Sequence, residues 1–145
     1  MEDENLTCDN VVDLFNEQLK DFIEQIIVII KFLNDDKTLS ISLTYNNYIK
    51  TAISCNKVSG IETFSGYIFS SENQDFTKKI SERDINYFNN INFENQASNN
   101  LLDLIKIIRN IVPQLGNANQ EKIFSYLDNL CTLSNIYTLK TITNK

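Results

Sequence analysis

From Val12 to Leu33 the apolar positions keep a helical rhythm. Val12, Phe15, Leu19, Phe22, Ile26, Ile29 and Leu33 follow one another at alternating spacings of three and four. That spacing puts them on one stripe of a single α-helix. Asp13, Glu17, Asp21 and Glu24 fall on the opposite face, with Lys20 as their only basic neighbour before Lys31. From Ile26 to Ile30 every position is apolar. Because β-branched residues have middling helix propensity, this half needs packing on nearly all sides. Alone it would read as a strand or an aggregating segment, but the unbroken repeat running into it decides for helix. Asp9 or Asn10 supplies the cap.

The following stretch is ambiguous. Leu39, Ile41, Leu43 and Tyr45 alternate like a strand, whereas Ile41, Tyr45, Tyr48, Ile49 and Ala52 fit a helix. No partner strand follows, so helix is favoured. Ile61, Phe64 and Ile68 suggest a short helix, and Phe76 with Ile80 one or two turns more. Ser81 and Asp84 have capping-box spacing, Ser81 as the cap, before Ile85 and Phe88. Residues 89–100 are Asn-rich and read as the longest loop. A second clear stripe is Leu101, Leu104, Ile105, Ile108, Ile111 and Val112, capped by Asn99 or Asn100 and ended by Pro113, the single proline. Gly116 and Asn117 turn the chain into a third stripe: Ile123, Tyr126, Leu127, Leu130, Leu133 and Tyr137. The expectation is an all-α, single-domain helical bundle of three long and two to four shorter helices. It spans residues 10–138, between a flexible acidic stretch 1–9 and a frayed end 139–145.

Charge and composition narrow the chemistry. The 145 residues carry a net charge of −6, and residues 1–36 hold ten of the 19 acids but two of the 13 bases. Nucleic-acid binders need a basic face, so nucleic acid is an unfavoured partner. Lys78, Lys79 and Arg83 form the one small basic cluster, with no aromatic platform around it. Histidine is absent, which removes His-based triads. Cys8, Cys55 and Cys131 are widely spaced, as expected of free thiols in a reducing compartment rather than a zinc site. Cys55 has Lys50 and Lys57 close in sequence, but an inert thiol is the simpler reading, and Cys131 reads as packing. The three glycines are isolated, so there is no phosphate loop. Asp35-Asp36 and Glu82/Asp84 sit at helix boundaries, where capping explains them without acid–base work. The acidic start is neither a secretory signal nor a transit peptide, and no apolar run is long enough for a bilayer. No cofactor and no metal are implied.

Three parts of the chain carry a resemblance. Leu14 to Ile27, LFNEQLKDFIEQII, followed by Asp35-Asp36-Lys37, resembles the opening of a family of small proteins encoded by nucleocytoplasmic large DNA viruses, which tend to start with an FNxQLxxFxxD-like segment ending at a Pro-Asp-Asp turn. Tyr67-Ile68, Phe76, Ile80, Asp84 and Tyr87-Phe88 are similar to its middle, and Glu121 to Leu127 with Leu130 and Leu133 to its last helix. The chain departs from the pattern at Asn34, where a proline is expected, and at Asn56-Lys57, where Asn-Pro is expected. The resemblance implies an all-helical giant-virus protein and carries over no catalytic residue.

The functional expectation is a non-enzymatic protein acting by protein–protein contact, in the host cytoplasm at the viral factory or in the virion interior. Candidate partner-binding residues are Asp13, Glu17, Asp21 and Glu24 on the acidic face, and Ile27, Val28 and Ile30 where the first helix is apolar all round. A homodimer or a partner helix would cover the latter three. The alternative is a nucleic-acid-associated factor in viral genome expression or packaging, contacting through Lys78, Lys79 and Arg83.

Overall fold

Thr7 starts the first helix, and not Asp9 or Asn10. Its hydroxyl accepts from the Asn10 backbone N–H at 3.0 Å, and half-buried Leu6 with buried Val11 occupies the two positions of a hydrophobic staple. The structure, a computed structural model, describes residues 6–70, 73–91 and 99–143. The outer parts of the two expected mobile ends, and residues 92–98 of the expected Asn-rich loop, lie outside these. Among the described residues seven α-helices follow in order: α1 (Cys8–Phe32), α2 (Asp36–Cys55), α3 (Ser59–Ile68), α4 (Phe76–Ser81), α5 (Ile85–Asn89), α6 (Asn100–Ile111) and α7 (Asn117–Thr143). A 3₁₀ turn, Val112–Gln114, carries Pro113 at the end of α6. Among the described residues there is no strand, so the alternation over residues 39–45 belongs to a helix.

α1 is the central element. Val11, Val12, Phe15, Leu19, Phe22, Ile23, Ile26, Ile29 and Ile30 are all buried. Its most extensive partner is α7, which runs antiparallel to it. Gln18 bonds to Asn129 and Gln25 to Lys122, so positions rise on one helix as they fall on the other. Between them the rings of Phe22 and Tyr126 stack at 5.2 Å. A chain of aromatic contacts ties in the shorter helices: Phe15 to Phe64 at 5.9 Å, Phe64 to Phe76 at 6.2 Å, and Phe76 to Tyr67 at 5.4 Å. These tilted and edge-on pairings suit the ring quadrupole. Phe88 of α5 meets Phe124 of α7 at 5.6 Å. The result is one all-α domain with α1 enclosed by α2, α3 and α7.

Side-chain caps also mark the starts of α2, α5 and α6. Asp35 caps α2 through Thr38 and Asn99 caps α6 through Leu101. Ser81 is not a cap, because α4 ends there. Asp84 caps α5 instead, accepting from the Tyr87 N–H at 2.9 Å. The corner between α1 and α2 turns at Asn34, whose φ is 57°. Asn tolerates this left-handed region. A proline is locked near −65° and cannot make this turn. α7 continues to Thr143, past Thr138, where the apolar stripe stops.

Two buried serines are unusual. Ser42 on α2 and Ser134 on α7 are both fully buried, and neither hydroxyl has a hydrogen-bond partner among the described residues. An unmade buried hydrogen bond costs about 1–3 kcal/mol, and alanine is the better helix former. Ser42→Ala and Ser134→Ala are therefore each expected to raise the melting temperature by about 2–4 °C. A lower melting temperature for either variant would mean that the hydroxyl is bonded, for instance to an ordered water.

Candidate functional site

The candidate residues read from the sequence do not form one site. Glu17, Asp21 and Glu24 are exposed along the outer face of α1 and make no ion pair among the described residues. Asp13 shares Lys57 with Asp9, at 3.3 and 2.6 Å, so it fastens the turn after α2 to the start of α1. Of the three apolar candidates, Ile30 is fully buried, Ile27 half-buried and Val28 45% exposed. Ile30 is thus a core residue and no part of a docking surface: α1 is enclosed by its own chain on that side. The most exposed apolar residue at this end is Phe32, at 81%, which the apolar stripe did not single out.

The basic cluster is mostly engaged. Arg83 sits at φ 57°, in the left-handed region that a long side chain rarely adopts. Its guanidinium offsets that strain through several bonds. It donates to both Glu121 carboxylate oxygens, to Asp128 at 3.3 Å, to Ser125 and to the Ile80 carbonyl. A fork with five donors is suited to such a junction. Arg83 therefore fastens the α4–α5 corner to α7. Lys79 lies 3.5 Å from Asp84 and 4.0 Å from Glu82. That leaves Lys78 as the one member of the cluster that is exposed and makes no ion pair among the described residues.

The Arg83 bond holds the Glu121 carboxyl below its ordinary value of 4.5. A depressed carboxylate contributes stability that is present above its unfolded value and lost as pH falls through the folded one. Asp84, lowered first by the Tyr87 N–H and then by Lys79, acts in the same direction. Stability is accordingly expected to drop on acidification below about pH 4. Glu121→Gln should show a shallower drop than the parent chain in acid-titrated melts. A profile identical to the parent's would mean that the Arg83 junction does not persist in solution.

The thiols offer little chemistry. Cys131 is fully buried, and burial pushes its thiol up to about 12. Cys55 is exposed at the last residue of α2, and Lys57, two residues on, is held by Asp9 and Asp13. No cluster of three or more His, Cys, Asp or Glu side chains that could hold a metal occurs among the described residues. No helix there is long and apolar enough to cross a membrane.

The feature that sequence reasoning missed is the orientation of α2. Its stripe Ile41, Tyr45, Tyr48, Ile49 and Ala52 reads as the buried face, and of these Ile49 is buried. Ile41, Tyr48 and Ala52 are instead exposed, Tyr48 at 54%, and Tyr45 is half-buried. The buried side is Ser42, Asn46 and Ile49. Leu43, on the opposite flank, is also exposed. The helix thus turns its more polar stripe inward and leaves apolar side chains on its flanks.

No protein-family model matches the chain, and neither a curated protein nor a solved structure matches it.

Proposed function

We propose that this is a non-enzymatic helical protein of a nucleocytoplasmic large DNA virus. It works by binding another protein, in the host cytoplasm at the viral factory or inside the virion. The observation that carries the binding role is the orientation of α2. A helix that buries Ser42 and Asn46 while exposing Ile41, Leu43 and Tyr48 disagrees locally with its own fold. Such disagreements concentrate where function holds them in place, and exposed aromatic and aliphatic side chains are the usual anchors of interfaces. The viral assignment rests on the sequence resemblance. The engaged state of Arg83 and Lys79 weighs against the nucleic-acid alternative.

Affinity purification from infected cells tests this reading, comparing the parent chain with an Ile41→Glu/Tyr48→Glu variant. Both positions are exposed, so the variant is expected to keep its helical spectrum and melting temperature. The expected result is a specific protein that co-purifies with the parent and is lost with the variant. Partners retained in full by the variant, or a nucleic acid as the specific companion, would overturn it.

A further inference from the structure

Between α1 and α2 lies a cleft of about 600 Å³, inside the range of roughly 300–1,000 Å³ typical of small-molecule sites. Its floor is apolar: Leu19 and Ile23 from α1, and Ile49 from α2, all buried. Its rim is charged. Lys20 projects from one wall and Lys50 from the other, and neither makes an ion pair among the described residues. Glu17 is the single acid on the rim, so the cleft is locally positive in a chain of net charge −6. The remaining feature is Asn46, which lines the cleft and is only 8% exposed. Its side-chain amide makes no hydrogen bond among the described residues. Its polar atoms are not sealed from solvent, so they are open to a partner that enters the cleft.

Both ends of the cleft are tied. The short turn through Asn34 joins α1 to α2 at one end. At the other, the Asn16 amide donates to the Lys57 carbonyl at 2.9 Å, holding the turn after α2 against α1. The α2 wall runs from Asn46 to Ser54, about 12 Å at the helical rise. A short site with an apolar floor, two unpaired cations and an unpaired amide suits a short ligand with an apolar body and an anionic end. The geometry points to a free medium-chain carboxylate as the occupant. Its alkyl chain lies over Leu19, Ile23 and Ile49, its carboxylate between Lys20 and Lys50, and Asn46 donates to it. This site is separate from the exposed flank of α2 on which the protein-binding role rests.

Calorimetric titration of the full chain with decanoate, below the concentration at which it aggregates and with no vesicles present, tests the assignment. Saturable one-to-one binding is expected, with the Asn46 side-chain amide signals shifting in a nitrogen–proton NMR spectrum. Decanol, which keeps the chain and lacks the charge, should bind about tenfold more weakly. A Lys20→Gln/Lys50→Gln variant should lose that preference while keeping its melting temperature, since both residues are exposed. No saturable binding, equal affinity for decanol, an unmoved Asn46 amide, undiminished decanoate binding by the variant, or binding only to fatty-acid-containing vesicles would each overturn the proposal.

Discussion

Ile26→Asp is expected to unfold the domain. Ile26 is at 0% exposure in the middle of α1, with Phe22, Ile23, Ile29 and Ile30 buried around it. A carboxylate there is set among apolar side chains and must either ionise in that surrounding or stay protonated at neutral pH. Either outcome costs several kcal/mol, against a total stability of about 5–15 kcal/mol for a domain of this kind. Glu17→Ala, one helical face away, should change stability by no more than about 0.5 kcal/mol, since its side chain is exposed and makes no ion pair among the described residues. Thermal melts followed by circular dichroism check both. A folded Ile26→Asp chain melting with the parent would place this stripe in solvent.

Phe64→Ala comes next in size. Its ring contacts Phe15 on α1 and Phe76 on α4, so it joins the central helix to two peripheral ones. Removing a fully buried ring loses its transfer free energy and leaves a cavity, together about 3–5 kcal/mol. The urea midpoint should fall with the slope unchanged, because the folded state keeps its extent. A loss under about 1 kcal/mol would mean that α3 collapses into the space. Tyr126→Ala should cost less, because Tyr126 is only half-buried although it stacks on Phe22.

The long stripes of α1, α6 and α7 were legible because each is a regular run of large side chains with one possible inward face. Leu101, Leu104, Ile105, Ile108, Ile111 and Val112 are all buried, as their spacing requires. α2 was legible as a helix, but its facing was not. Ile41 and Tyr48 outweigh Ser42 and Asn46 on any apolar scale, yet the inward direction is set by Ile49 and by where α1 and α6 lie. The same limit explains the end of α7. Ser134 is buried, and Tyr137, Thr138 and Thr141 are half-buried. Beyond Tyr137, the last residue of the apolar stripe, the inward positions are polar and an apolar count passes over them; the Tyr137 hydroxyl itself reaches Glu62. The cleft residues Lys20, Asn46 and Lys50 carried no signal of their own. Their relation exists only once α1 and α2 lie side by side, and a one-dimensional pattern does not contain it.

The pairing of α1 with α7 also sets a timetable. The helix that most needs cover is made first, and the helix that covers it most extensively is made last. At translation rates of about 5–20 residues per second, the run Ile26–Ile30 spends several seconds outside the ribosome before α7 exists. During that interval its sequence is of the kind that associates with other chains. Holdase chaperones should therefore engage nascent chains truncated before Asn117 and release those that reach Thr143.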